Sequence, residues 1–471
     1  MFKRLLIALT ALLAVAAQAK GPGEGTIYIS GVTVVHPELS GAAVLEPNAT
    51  VMIHDNRIVY VMQNVTLERA QGDKVIDGRG KWVIPGLIDG HVHFFQSGNL
   101  YTRPDAADFN AVVPYAQEVA RNKARLPATF KVWLANGVTG VVDIGGPFWN
   151  FDMRDQANAT AEAPRVAVAG PLISMIADPP LDLDDPPIIR IDTVEAGLDL
   201  TKRELARNPD YIKVWFIYEP GDDVAAHEAI VKAAGDAAHA AGKRLAVHAT
   251  ELVVAKAALR AGADYLVHSV FDEPVDDEFI ELAKKNHVLY CPTLFVEESY
   301  DLALSNQWRA TPEELRRADP EILAGMDDLN EIPADKIPPR VAKRMAAHKP
   351  VAAPAIGMKN LRTVADAGIT IVMGTDAGNI GALHGPSILR EMRLMQESGL
   401  TPLEILKSAT TNGALALGRG DDLGAVAAGK LADLVILDAN PLEDSGNLSR
   451  IYRVVKNGKV YDPEELMKSI R

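Results

Sequence analysis

Apolar positions along this chain follow two rhythms. From residue 26 to 84 they form short runs, Ile27–Ile29, Thr33–Val35, Thr50–Ile53, Ile58–Val61 and Lys74–Asp77, cut apart by Gly, Pro, Asn and Asp. Short runs bounded by turn formers read as β-strands. The far end repeats the pattern with Asp433–Leu437, then Ile451–Lys456 and Val460 about the turn Asn457-Gly458. Asn-Gly between apolar runs marks a hairpin, because both residues tolerate a positive φ. Two strand-rich ends around a different middle are expected to meet as one small β-sandwich.

The middle alternates. Apolar strand candidates occur at Val83–His93, Val138–Ile144, Arg165–Ala169, Tyr211–Trp215, Leu245–His248, Tyr265–His268, Val288–Pro292 and Thr370–Asp376. Helical periodicity fills most of the gaps, as in Ala225–Ala241 and Asp277–Asn286. Alternation of strand and helix implies a parallel sheet, and eight such strands are what a (β/α)8 TIM barrel needs. Thr401, Pro402 and Glu404 make an N-cap, a first-turn proline and a capping box for the last helix. Residues 295–355 form an oversized connection with a helix start at Thr311-Pro312-Glu313-Glu314. Such an excursion on the strand-exit side is expected to be either a lid or substrate wall, or a solvated decoration.

The expected organisation is therefore α/β. Residues 20–84 and 416–471 form the β-sandwich and residues 85–415 the barrel. Residues 1–19 have the form of an export leader: Lys3 and Arg4, an apolar run from Leu5 to Ala17, and Ala17-Gln18-Ala19 as a cleavage site. The apolar run is too short to span a bilayer. A periplasmic or extracellular protein with no stable membrane insertion after cleavage is expected.

Composition narrows the functions. The chain has 471 residues, 48% hydrophobic, with a formal net charge of −14. That length supports a large core, and that charge argues against a nucleic-acid partner, whose phosphates need a basic surface. An acidic surface mostly keeps a protein soluble and points to no particular substrate, and self-association into a homo-oligomer is left open. Cys291 is the single cysteine, so no intrachain disulfide can form. Within the apolar run Val288–Leu294 it reads as a small buried hydrophobe.

Chemistry gathers at the strand ends. Strand one closes on His91-Val92-His93, whose imidazoles, two apart, point to the same side and can meet one ion. Lys213 sits in strand four, His248 and His268 close strands five and six, and Asp376 closes strand eight. Singly, each has a bland reading as a core histidine, an ion-pair lysine or a helix cap. Together they occupy the face where barrel enzymes place their active sites. His227, His239 and His287 fall on helices or a helix end and are read as structural.

These residues lie in stretches that resemble the amidohydrolase superfamily, in the branch of imidazolonepropionase-like proteins and Xaa-Pro and Xaa-Arg dipeptidases. The stretches are Val83 to His93, Tyr211-Ile212-Lys213, Val247-His248-Ala249, Val267-His268-Ser269 and Met373 to Gly378. Leu400 to Glu404, Ala409 to Ala414 and Gly429 to Val435 follow in order. The resemblance implies that His91, His93 and Asp376 bind one divalent metal and that His248 and His268 bind a second. It also implies that Lys213, as a CO2-derived carbamate, bridges them. Zinc suits these donors, and cobalt or manganese also fits. A neutral lysine amine can take up CO2, and nearby cations favour the neutral form.

The implied reaction is amide hydrolysis of a dipeptide or N-acyl amino acid. A hydroxide held between the metals attacks, and Asp376 acts as general acid/base. Lactones and carbamates are alternatives for the same site. Tyr218, in the segment after Lys213, is a candidate for substrate binding, and Phe94 and Phe95 are candidates for a pocket wall. His248-Ala249-Thr250-Glu251 also matches the His-x-x-Glu spacing of mononuclear deaminases of the superfamily, with Glu251 as proton shuttle. Those enzymes generally lack the strand-four lysine. A non-catalytic scaffold is the third alternative, and all six ligand positions are filled here.

Overall fold

In the computed structural model the described residues are 25–67, 70–176, 181 and 183–470. The expected leader lies outside them. No helix among the described residues is long and apolar enough to cross a membrane.

The two chain ends meet by strand pairing. Ile27–Val35, Leu45–His54, Arg57–Gln63, Lys74–Asp77 and Trp82–Pro85 join Leu434–Leu437, Ile451–Lys456 and Lys459–Tyr461 in one eight-stranded sheet. The join is antiparallel, with Ile84 opposite Val435. Asn457 and Gly458 both take positive φ, 52° and 77°, so the predicted hairpin turn forms as the residue pair demands.

The middle is parallel. Leu87–Val92, Val138–Asp143 and Arg165–Val168 form one sheet. The other runs Ile188–Arg190, Leu172–Ser174, Tyr211–Trp215, Arg244–His248, Tyr265–Val267, Leu289–Cys291 and Thr370–Ile371. Isolated parallel bridges join Ala169, just past the last strand of the first sheet, to Tyr211, and Val92 to Ala377. Parallel register brings the C-terminal ends of the strands to one side: Trp215 lies opposite His248, and His248 opposite Val267. Between strands and helices runs the main core, with Trp133, Phe216 and Phe295 fully buried.

Three expectations need correction. The first strand candidate, Val83–His93, is two strands. It breaks at Gly86, where a Cβ would stand 2.1 Å from Thr139 Oγ1. Trp82–Pro85 belongs to the end sheet and Leu87–Val92 to the parallel sheet. The eighth candidate, Thr370–Asp376, is a strand only over Thr370–Ile371. Its remainder is held by Gly90 N donating to Met373 O at 2.8 Å and Asp376 N to His91 O at 2.8 Å. Leu172–Ser174 and Ile188–Arg190 are additional short strands, too brief to leave a periodic signal.

The predicted caps form. Thr401 and Glu404 make the capping box of Pro402–Ser408, and Thr311 and Glu314 make that of Pro312–Arg317. A cap of this kind contributes about 1 kcal/mol. The long excursion packs down rather than standing in solvent. Trp308, Ile322, Leu329 and Val341 share an apolar cluster with Leu100, Tyr101, Phe109 and Ile380. Its first helix, Leu294–Leu304, carries Val296, Glu297 and Tyr300 into the wall of a cavity at the strand ends.

Candidate metal centre

Three donors meet closely at that cavity. His91 Nε2 and His93 Nε2 are 3.3 Å apart. Asp376 Oδ1 lies 3.3 Å from the first and 3.2 Å from the second. His268 approaches from the other side, its Nε2 3.9 Å from Asp376 Oδ2 and its ring 4.3 Å from that of His248. Lys213 lines the same cavity. All six strand-end residues singled out in the sequence therefore border one space.

Local structure aims them. His93 Nδ1 faces the carbonyl of Gly145 at 2.7 Å, so that nitrogen donates and Nε2 is the one turned toward His91 and Asp376. His268 Nδ1 contacts Thr293 Oγ1 at 2.6 Å, which turns Nε2 inward. His268, Thr293 and Asp376 all hold positive φ, at 75°, 41° and 56°. Such conformations cost about 1–3 kcal/mol each in a residue with a side chain and persist where function and packing require them. Asp89 ties the first strand to the Asp376 turn. It accepts from His91 N at 3.1 Å, Thr375 N at 3.0 Å and Thr375 Oγ1 at 2.6 Å. Gly374 lets the turn close: a Cβ there would lie 2.4 Å from Cys291 Sγ and 2.9 Å from His91 Cβ. Cys291 is fully buried, as a small hydrophobe would be.

Burial sets the charges. It pushes His91, His248 and His268 well below the usual imidazole value, helped by neighbouring cationic groups, so their lone pairs are free at neutral pH. Burial also brings the Lys213 ammonium down to about 7. Burial alone would raise Asp376, but His93, His268 and Lys213 together hold its carboxyl below the usual carboxylate range. Lys213 Nζ and His91 Nδ1 are buried without a hydrogen-bond partner among the described residues. Stranded buried polar atoms are costly. A cluster of imidazoles and one carboxylate, with an amine beside it, has the donor chemistry of a divalent-metal centre. The residues fit such a group.

The cavity holds about 230 Å3. Phe95, Leu172, Ile188, Trp215 and Val296 give it apolar walls, and Gln96, Arg103, Glu297, Tyr300 and Asn379 add polar ones. A larger cavity of about 720 Å3 lies beside Lys123, Trp149 and Asp185. None of the strand-end donors borders it, so chemistry rather than size selects the site.

Not every candidate reaches the cavity. Tyr218 is not among the lining residues and packs, half-buried, against the main core. Phe94 is buried between Phe130 and His384, while Phe95 does line the cavity. Glu251 stands at the start of the helix Leu252–Arg260, hydrogen-bonded by Thr250, and is not a lining residue. Arg103, Tyr300 and Asn379 were missed. Asn379 alone left a trace, three residues beyond Asp376 in the same turn. Arg103 and Tyr300 come from irregular or inserted segments that have no strand-end position to mark them.

The chain is similar to proteins of one known family. A profile of the amidohydrolase family matches residues 82–461. Imidazolonepropionase of Shouchella clausii is 36% identical over 105 residues, which is 21% of this chain and 23% of that protein. The matched stretch thus spans about a quarter of that relative's length. A crystal structure of a Xaa-Pro dipeptidase with methionine bound in its active site superposes with a TM-score of 0.70 at 23% identity, covering 93% of this chain and 100% of that one. A prolidase in complex with N-methylphosphonate-L-proline superposes with a TM-score of 0.68 at 26% identity, covering 93% and 99%.

Proposed function

The chain belongs to the amidohydrolase family, and on that premise we propose that it hydrolyses an amide bond in a dipeptide or an N-acyl amino acid. One observation carries the reading: six metal-type or bridging donors from five strand ends border a single cavity, with the Lys213 amine buried and unpartnered among them. We read the two parallel sheets as a closed (β/α)8 barrel, the Ala169–Tyr211 and Val92–Ala377 bridges being its seams. The end sheet is read as the accompanying β-domain.

His91, His93 and Asp376 would hold one divalent ion, zinc by donor type, and His248 and His268 a second. Lys213 would be shared between them as a carbamate. A neutral amine is the form that adds CO2, and burial supplies it. Bound there, the ions would polarise the scissile carbonyl and acidify a water molecule. Asp376, ionised at neutral pH, takes the proton of the attacking water and delivers it to the amine nitrogen as the C–N bond breaks. The apolar walls from Phe95, Trp215 and Val296 keep bulk water from that proton. The likeness to a dipeptidase and to a prolidase bound to a proline phosphonate supports a substrate of this size.

The test is a panel of dipeptides and N-acyl amino acids offered to metal-loaded protein, with free amino acids measured by chromatography. At least one amide should be cleaved, with activity abolished by a chelator and restored by zinc, cobalt or manganese. Ammonia release from aminated rings, with no amide cut and with loss on Glu251→Gln, would overturn the proposal in favour of a deaminase.

A further inference from the structure

Asp376 has two oxygens in different surroundings. Oδ1 faces His91 and His93 at 3.3 and 3.2 Å, while Oδ2 faces His268 at 3.9 Å. Asn379 makes this distinction permanent. Its Nδ2 donates to Asp376 Oδ1 at 2.6 Å and to the Asp376 backbone carbonyl at 3.1 Å. An amide can flip, and here the flip is blocked. Asn379 Oδ1 accepts from Arg103 Nη1 at 2.7 Å and from the Tyr300 hydroxyl at 2.7 Å. Two donors on that oxygen leave only the NH2 end to face the carboxylate. Arg103 is itself fixed by a bidentate pair with Asp105. Asn379 is 2% exposed, so water does not compete for these bonds.

We propose that Asn379 is a positioning residue for proton transfer. It pins Oδ1 of Asp376 and leaves Oδ2 as the oxygen that accepts and releases the proton. Arg103, from the loop after the first parallel strand, and Tyr300, from the long excursion, hold Asn379 in that orientation. The excursion thereby reaches the chemistry through one hydrogen bond as well as through the cavity wall. A carboxylate that can rotate presents the wrong oxygen for part of the time, and a proton-transfer step is sensitive to placement of this order.

The inference rests on the proposed amide hydrolysis, and leaving-group chemistry tests it. Hydrolysis of an amide or of an ester takes a proton from the attacking water, but only an amide nitrogen must then receive it to leave. p-Nitrophenolate leaves unprotonated, so amide cleavage depends on Asp376 twice and ester cleavage once. Asn379→Ala is therefore assayed on an N-acyl amino acid and on a p-nitrophenyl ester of the same acyl group. Expected is a fall in amide kcat on the order of a hundredfold, with ester kcat changed by less than about tenfold and KM nearly constant. Metal content by elemental analysis should equal that of the unaltered protein. Tyr300→Phe, which removes one hydroxyl and keeps the test open should Asn379→Ala misfold, should give a smaller amide-selective loss and add nothing in the Asn379→Ala background. Equal losses on amide and ester, or loss of metal in step with activity, would overturn the inference. Amide cleavage that survives Asp376→Asn would instead overturn the functional reading. Cleavage that falls with Asp376→Asn but not with Asn379→Ala would overturn this inference alone.

Discussion

Among the described residues two lysines are buried almost completely, one in each region. Lys456 ends a strand of the end sheet, and Lys213 lies in a parallel strand facing the cavity. Lys456 Nζ lies 3.4 Å from Asp433 Oδ2, and the same carboxylate accepts from Arg165 Nε at 2.8 Å and from Asn457 N at 2.7 Å. Lys213 Nζ has no hydrogen-bond partner among the described residues. Burial lowers both, Lys456 to about 8 and Lys213 to about 7. Burial of a charged residue thus does not mark a functional site by itself. What separates the two is how the protein supplies the counter-charge. In the end sheet it does so by contact, and Asp433, paired with Lys456, also fastens one region to the other through Arg165. At the cavity it does so only at a distance, from Asp376, and the amine is left for a ligand.

The sharpest way to break this comparison is to remove each lysine. Lys213→Ala should lower kcat/KM on the cleaved amide by on the order of a thousandfold or more, the scale on which metal-assisted sites depend on their ligands. Lys456→Met should leave kcat/KM within about threefold, since it alters packing remote from the reaction. Near-normal turnover by Lys213→Ala would erase the distinction. Partial rescue of that variant by a small carboxylate in solution would sharpen it.

Stability should show the opposite pattern. Asp433→Ala strands Arg165 and Lys456 without their carboxylate, and breaking a buried pair in this way costs about 3–5 kcal/mol. Urea unfolding should report that loss, while kcat on the folded fraction stays unchanged. A stable Asp433→Ala protein would mean that the end sheet does not depend on its counter-charge.

Metal-free protein gives a pH test. Below the ordinary lysine value of 10.5 the unfolded chain binds a proton at Lys213 that the folded chain does not bind until about 7. The unfolded state then holds more protons, so this contribution to stability is full above 10.5 and is lost as pH falls toward 7, at about 1.4 kcal/mol per unit. Lys456 has the same sign over a narrower window, down to about 8. Lys213→Met should flatten the slope measured by urea unfolding between pH 7 and 10 more than Lys456→Met does. His91, His248 and His268 add a second decline as pH falls below the ordinary imidazole value of 6.5. An unchanged slope in Lys213→Met would show that its amine has a partner after all.

The smallest effects belong to the residues the cavity leaves out. Tyr218→Phe and Glu251→Gln should each change kcat/KM by no more than about twofold, as substitutions away from the chemistry usually do. A larger loss with Glu251→Gln would return the proton-shuttle role to it.

Much of this was legible in the chain. Strand-end positions are readable because an apolar run that stops on a polar residue marks where a parallel strand leaves the core, and His91, His93, His248, His268 and Asp376 all do so. Lys213 was readable because a lysine within an apolar strand is expensive anywhere. Asn457-Gly458 specified its turn through backbone sterics, and Thr401 and Glu404 specified a helix start through a local exchange of hydrogen bonds. Each of these signals is carried by neighbours a few residues apart.

Features that depend on distant partners were not legible. The break at Gly86 exists because Thr139 lies against it, and the orientation of Asn379 exists because Arg103 and Tyr300, 276 and 79 residues away, converge on one oxygen. Tyr218 and Tyr300 are chemically identical, and only the course of the chain puts one in packing and the other in the cavity wall. The sequence determined which residues could bind metal and which strands would carry them, because apolar periodicity and residue chemistry are local properties. The tertiary structure decided which polar groups found partners and which were left free, because that balance is settled only when segments far apart in the chain are packed together.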